Sequence, residues 1–318
     1  MQQVARDAAA GSEQPAFHAG EAALQREAGV AERMQRLGPQ VIRAQLPDSH
    51  RHFFAQLPFI VVGSIDARGQ PSASLLARPP GFVSSPDAST LRILALPRAD
   101  DPLAVNLSAG AALGVLGILP HERRRNRVNG TVLALDDSGF SLAVDQSFGN
   151  CPKYIWPREP VYVGALPERA ACSSPRLDAR ARALVASADT FYLASAHPDA
   201  GASPARSHGV DVSHRGGPRG FVHFSDDDTF IIPDFRGNNF YNTLGNLQLN
   251  PRAGLLFIDF DQGDLLLLEA STQMSEAAHP LAGPYATGRI LRFQVQRARF
   301  FPAASPLRFQ PGSAEVRT

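Results

Sequence analysis

Two stretches in the second half of the chain gather side chains able to hold an anion. Asp211-Val212-Ser213-His214-Arg215-Gly216-Gly217 reads as a strand, and alternation along it sets Ser213 and Arg215 on one face. Further on, Pro233-Asp234-Phe235-Arg236-Gly237-Asn238-Asn239-Phe240-Tyr241-Asn242-Thr243-Leu244-Gly245-Asn246 brings a second guanidinium and a run of amides. A helix starting near Asn239 puts Asn242 and Asn246 on one face, with Thr243 in its first turns. Free N–H groups at that start, the helix dipole and the forked donors of Arg215 and Arg236 all suit phosphate oxygens. The same residues also fit a plainer arrangement, in which Asn238 and Asn239 cap a helix and the arginines are solvated. His214 reads as a hydrogen-bonding partner in the cluster, and no general base can be named.

The first half decides between these arrangements in part. Gly81-Phe82-Val83 matches Gly220-Phe221-Val222, Asp87 and Thr90 match Asp226 and Thr229, and Asn106-Leu107 matches Asn246-Leu247. Gly114-Val115-Leu116-Gly117-Ile118 then matches Gly254-Leu255-Leu256-Phe257-Ile258, with a one-residue change of offset between the blocks. The chain reads as an internal duplication. At the anion cluster the copies part. Pro102 and Leu103 stand opposite Asn242 and Thr243, and Arg98 and Ala99 opposite Asn238 and Asn239. Scaffold asparagines would have less reason to vanish from the twin, so a ligand role in one half is favoured.

The elements that must carry these residues are short strands. Phe59–Ile65, Ser72–Ala77, Thr90–Leu96, Leu113–Leu119 and Val128–Leu135 are apolar runs broken by turn residues, with one helix between Asp101 and Gly110. That pattern argues for a small barrel and against a doubly wound sheet. Ahead of it, Val30, Met34, Leu37 and Val41 make a helical stripe over Phe17–Leu46, read as packing helices that Gly29 and Gly38 break into pieces. Residues 1–15 are polar and alanine-rich and expected to be disordered. The reading is therefore a tail with packing helices over 1–50, a first barrel over 51–163, a linker over 164–176 and a second barrel over 177–318.

Bulk composition narrows the partners. The chain has 318 residues, 44% of them hydrophobic, enough for two modest cores. A formal net charge of +1 supplies no field for nucleic acid or an anionic membrane. Cys151 and Cys172, the two cysteines, give neither a disulfide framework nor metal-ligand spacing, so no metal is expected. No apolar run is long enough to span a bilayer, and the N-terminus lacks a secretory pattern, which predicts a cytoplasmic protein.

Ser213-His214-Arg215-Gly216-Gly217, the Gly237-to-Asn246 stretch and Asn250-Pro251-Arg252 resemble the pyridoxamine 5'-phosphate oxidase-like family of FMN-binding proteins. The resemblance covers Phe53–Tyr154 and Thr190–Thr272, and Phe17-His18-Ala19-Gly20-Glu21 is similar to tandem members of the group. It implies a mainly β fold with peripheral helices, two tandem six-stranded split β-barrels forming an intrachain pseudo-dimer. FMN would lie in the groove between barrels. By position, Ser213, Arg215, Asn242 and Thr243 would contact phosphate or ribityl, joined by His214, Arg236, Asn238 and Asn239. Asn150-Cys151-Pro152-Lys153-Tyr154 resembles a Cys-x-Lys segment of relatives and adds Lys153 from the first half. Each half thus keeps a different piece, as one composite site holding one FMN per chain requires.

Three departures bound the function. Trp156 is the sole tryptophan, and Gly288-Arg289-Ile290-Leu291-Arg292-Phe293 lacks the substrate clamp of true pyridoxamine-phosphate oxidases, which argues against vitamin B6 oxidation. Two cysteines cannot build an iron–sulfur cluster, so electrons would come from a nicotinamide or a separate protein donor. Glu269-Ala270-Ser271 replaces Asn129-Gly130-Thr131 of the first copy. The resemblance implies an FMN-dependent oxidoreductase on an unidentified small molecule. The alternative is a non-catalytic flavin- or haem-binding or sensing protein on the same fold. A deazaflavin, with its long acidic tail, would want more cations than the sequence places in the groove.

Overall fold

A computed structural model describes residues 14–164, 166–167, 169–277 and 286–312. Most of the tail expected to be disordered, residues 1–13, lies outside them. Three helices come first: α1 (Ala19–Glu27), α2 (Ala31–Val41) and α3 (Asp48–Ala55). Gly29, at φ +67°, separates α1 from α2 as expected. Gly38 breaks nothing; it and Pro39 sit inside α2. A Cβ at position 38 would lie 2.5 Å from the Phe17 ring, so this glycine serves a close approach instead of a helix end.

The first sheet takes β1 (Phe59–Ile65), β2 (Pro71–Ala77), β3 (Val83–Ser84) and β4 (Thr90–Ile93), then α4 (Pro102–Asn106) and β5 (Ala112–Leu119), β6 (Arg124–Asp136) and β7 (Gly139–Gly149). Next come β8 (Arg158–Tyr162), β9 (Cys172–Ser174) and α5 (Ala179–Ser187). The second sheet takes β10 (Thr190–Ala196), β11 (Val210–Gly216), β12 (His223–Phe224) and β13 (Thr229–Phe235), then α6 (Asn242–Leu249) and β14 (Arg252–Ile258), β15 (Leu265–Glu276) and β16 (Ala286–Phe301). The last strand is β17 (Leu307–Pro311).

The strand orders are β2-β1-β5-β6-β7-β4-β3 and β11-β10-β14-β15-β16-β13-β12, the same path twice. Both sheets are antiparallel, and the two-residue β3 and β12 hang on the edges of six principal strands. The protein is mostly β, and each half is a split barrel. Two pieces cross the expected divisions: β9, inside the segment read as a linker, extends the second sheet along β16, and β8 pairs with β17.

Alternation on the central strands explains how the halves meet. Ile60 and Val62 fill the first barrel, while Phe59 and Val61 turn outward into a third apolar cluster shared with Tyr192, Ala194, Leu256 and Phe309 of the second half. A strand buried on both faces needs the unbroken apolar run Phe59-Ile60-Val61-Val62. Glycine sets the spacing twice. A Cβ on Gly114 of β5 would lie 2.7 Å from the Val210 carbonyl, and one on Gly254 of β14 would lie 2.4 Å from that of Pro71. These equivalent positions press each sheet against the other's second strand and leave a groove on either side.

Candidate functional site

On one side, β6 of the first half faces β11 of the second. Arg125 and Arg127 alternate on β6, as Asp211, Ser213 and Arg215 do on β11, so both sets point into the groove. Arg127 forms a buried ion pair with Asp211. It donates to Ser213 Oγ at 2.6 Å and to Asn242 Oδ1 at 3.3 Å. Thr243 Oγ1 donates to Asp211 Oδ2 at 3.0 Å and lies 2.6 Å from Ser213 Oγ. A buried charge pair persists only when its remaining lone pairs and protons are satisfied, and these hydroxyls largely do so.

The helix that brings Asn242 and Thr243 starts later than expected. Asn239 and Tyr241 hold left-handed backbone, at φ 64° and 61°, which cannot continue into a helix, so α6 begins at Asn242. Asn238 Oδ1 accepts from Phe240 N–H at 3.1 Å and fixes that turn. Asn242 and Thr243 therefore occupy the first turn, where backbone N–H groups have no intrahelical acceptor. Asn246 faces away, its Nδ2 donating to Ser195 Oγ at 3.2 Å.

Between these elements opens a cavity of about 720 Å³. Ser213, His214, Arg215, Arg236, Asn238, Asn239, Asn242, Thr243 and Lys153 all line it, as do Cys151 and Tyr154. The nine residues singled out from sequence thus meet in one place. Arg236 is exposed at the rim, where its carbonyl accepts from Tyr154 Oη at 3.0 Å. The Tyr154 ring stacks on Phe235, centroids 5.0 Å apart, and gives the wall an aromatic face.

Charge in the cavity is predominantly positive. Arg125, Arg127, Lys153, Arg215, Arg236 and Arg289 line it against Glu27, Asp234 and Glu276. Burial pushes the Arg125 guanidinium down to about 10, with Arg127 nearby adding to the shift. Burial also lowers Arg215, opposed by Asp234 and Asp211. Arg215 Nε is buried with no hydrogen-bond partner among the described residues. His214 lies 3.1 Å from Arg125 Nη1 through Nδ1, and burial, then Arg125, hold it well below the usual histidine range. A neutral ring accepting from a guanidinium is the hydrogen-bonding partner expected of His214.

Four contributors were not foreseen. Arg125 and Arg127 come from the half credited with few donors, and their spacing of two in Arg123-Arg124-Arg125-Asn126-Arg127 was the available signal. Asp211 stood inside the quoted motif without a role. Glu21, on a helix read as packing, reaches across 221 positions to accept from Asn242 Nδ2 at 2.5 Å. Its other oxygen accepts from His18 N–H at 2.7 Å, and burial raises the carboxyl to about 8. The helix comes this near because Gly20 lies against Gly245; a Cβ at 20 would lie 2.3 Å from the Gly245 carbonyl.

The opposite groove is nearly shut, with about 10 Å³ of space. Register identifies the equivalents: Arg127 pairs with Leu116, and Leu267 with Leu256 in the second sheet. Leu265 and Leu267 thus replace Arg125 and Arg127. Ser72, Leu76, Pro102 and Leu103 replace Asp211, Arg215, Asn242 and Thr243. The walls that remain are Ala73, Leu255, Leu267 and Leu268, with Glu269, Arg297 and Arg299 at one end.

Neither a protein-family model nor a curated protein matches this chain. Among solved structures it is similar to a putative pyridoxamine 5'-phosphate oxidase from Lactobacillus delbrueckii, at 14% identity over 39% of this chain and 94% of that one, with a TM-score of 0.29. An FAD-binding protein from Mesorhizobium loti matches at 13% identity over 42% and 99%, TM-score 0.29. HutZ, the haem storage protein from Vibrio cholerae, matches at 13% over 40% and 95%, TM-score 0.28. These likenesses concern fold alone. No helix among the described residues is long and apolar enough to cross a membrane.

Proposed function

We propose that the open groove binds one FMN and that the protein is an FMN-dependent oxidoreductase acting on a small molecule. The observation that carries this reading is Arg215, its Nε buried at the cavity without an acceptor and close to the first turn of α6. An anionic group there satisfies the orphaned donor and the free N–H groups of the helix together. Ser213, Asn242 and Thr243 hold the phosphate or ribityl end, and Lys153, Arg236, Asn238 and Asn239 close over it. A volume of about 720 Å³ lies within the range of small-molecule sites, roughly 300–1,000 Å³. The Tyr154–Phe235 stack offers a flat apolar surface of the kind a flavin ring needs.

When bound, the flavin supplies hydride or electron transfer. The chain binds, orients and shields it. Arg127 and Asp211 keep Ser213 and Thr243 fixed, and Arg125 holds His214 neutral. Electrons come from a reduced nicotinamide or a separate protein donor.

Flavin is favoured over haem by the same residues. His214 is the one histidine lining the cavity among the described residues, and Arg125 occupies its Nδ1 side. An absorption spectrum before and after adding FMN tests binding: flavin bands that survive desalting support it, and a colourless protein that ignores FMN removes it. Stopped-flow reduction tests the activity. If no nicotinamide or protein donor bleaches the bound flavin, the protein stores or senses flavin and does not turn it over.

A further inference from the structure

Away from the cavity, the loop from β10 to β11 gathers three potential ligands. His197 directly follows β10, and Asp199 and His208 lie further along the loop. One ligand atom from each falls within 4.8 Å of the other two. Asp199 Oδ2 is 3.8 Å from His197 Nδ1 and 4.0 Å from His208 Nδ1. The two rings stack with centroids 3.7 Å apart, and His18, at the start of α1, packs edge-on to His197 at 5.0 Å.

We propose that His197, Asp199 and His208 form a site for a divalent transition-metal ion of the zinc class. Two imidazole nitrogens and one carboxylate oxygen suit zinc, cobalt or nickel, whereas calcium and magnesium seek shells of oxygen. An independent feature points the same way. His208 Nδ1 is buried and has no hydrogen-bond partner among the described residues, with the Asp199 carboxylate 4.0 Å away. His197 Nδ1 now accepts the Asp199 N–H at 3.1 Å, a weak claim that a cation can displace.

Closing the site needs a turn of the partly exposed His208 ring out of its stack on His197. Three protein ligands leave a fourth tetrahedral position for water. The ion would brace the loop on which the His18 end of α1 rests, where Gln14 Oε1 already accepts from Arg206 N–H at 3.0 Å.

The histidines and the aspartate stand at spacings that match no cysteine-type metal motif, which is why the sequence held no such expectation. Their meeting depends on the loop doubling back. The site is independent of the flavin reading and can fail or stand without it.

Cobalt(II) titration of the full-length, tag-free chain tests the proposal. Saturation at one ion per chain with visible ligand-field bands is expected, zinc displacing the cobalt and magnesium failing to. Zinc should raise the melting temperature and a chelator should reverse the rise. His208→Ala and Asp199→Asn should each abolish saturable binding, while His121→Ala, on another surface, should leave it intact. Both decisive side chains are on the loop and partly or fully exposed, so these variants keep the fold even if His197→Ala does not. Absence of cobalt bands, or binding unchanged in both loop variants, overturns the site. FMN titration of the same variants should be unaltered.

Discussion

The two grooves rest on the same register, the same strand order and the same pair of close glycines, yet one holds about 720 Å³ and the other about 10 Å³. Six side chains make the difference. Where the open groove has Arg125, Arg127, Asp211, Arg215, Asn242 and Thr243, its twin has Leu265, Leu267, Ser72, Leu76, Pro102 and Leu103. Apolar walls collapse on each other because burial favours contact. Polar walls close only where their groups find partners, as Arg127 and Asp211 do, and donors left unpaired, Arg215 Nε among them, face the remaining space. One groove is thus nearly filled by side chains, and the other keeps the space that the proposed function assigns to a ligand.

The sharpest way to break this contrast is to give the open groove one residue of the closed one. Arg127→Leu leaves Asp211 buried without its partner, and should cost about 3–5 kcal/mol of stability in urea unfolding. Adding Asp211→Ser, which completes the closed-groove pair, should recover most of the loss. If the double variant is no more stable than the single, the ion pair is not what distinguishes the grooves. Next in size, Arg215→Leu, copying Leu76, should weaken FMN by about 1.5–3 kcal/mol in a fluorescence-quench titration. Unchanged affinity would take Arg215 out of the anion site. The ratio of flavin to protein after reconstitution should be near one, and a value near two would mean that the closed groove opens.

The smallest effect concerns Glu21. Its carboxyl, raised to about 8, binds a proton in the folded state that the unfolded chain has released above about 4.5. Stability from this group is full at low pH and is lost as pH rises through 8. His18, lowered to about 3, acts in the opposite direction between about 3 and 6.5, so the window from 6.5 to 8 isolates Glu21. Over that window the melting temperature should fall with pH, and Glu21→Gln should flatten the fall. An unchanged slope in Glu21→Gln would assign the dependence to other groups.

Much of this was legible in the sequence because it is written in short-range pattern. Turn residues between apolar runs gave the strands, and paired glycines such as Gly114 and Gly254 exposed the repeat. Ser213, Arg215, Asn242 and Thr243 stood close enough together to be read as one cluster. What escaped depends on long-range pairing. Arg125 and Arg127 look like surface cations until β6 is laid against β11. The start of α6 was misplaced because the left-handed turn at Asn239 and Tyr241 is not marked by glycine. Glu21 carried no sign of its role, because a carboxylate on an amphipathic helix looks the same whether it meets water or Asn242.

The docking of α1 on α6 also sets an order of events during synthesis. Glu21 leaves the ribosome long before Asn242, and at 5–20 residues per second the interval is roughly ten to forty-five seconds. For that time the first helix has only α2 beside it and lacks its α6 partner, although the first sheet can already close around its own core. Vectorial folding therefore finishes at the open groove: the last helix among the described residues must find the first, and a chain stalled before α6 would lack the surface on which Glu21 docks.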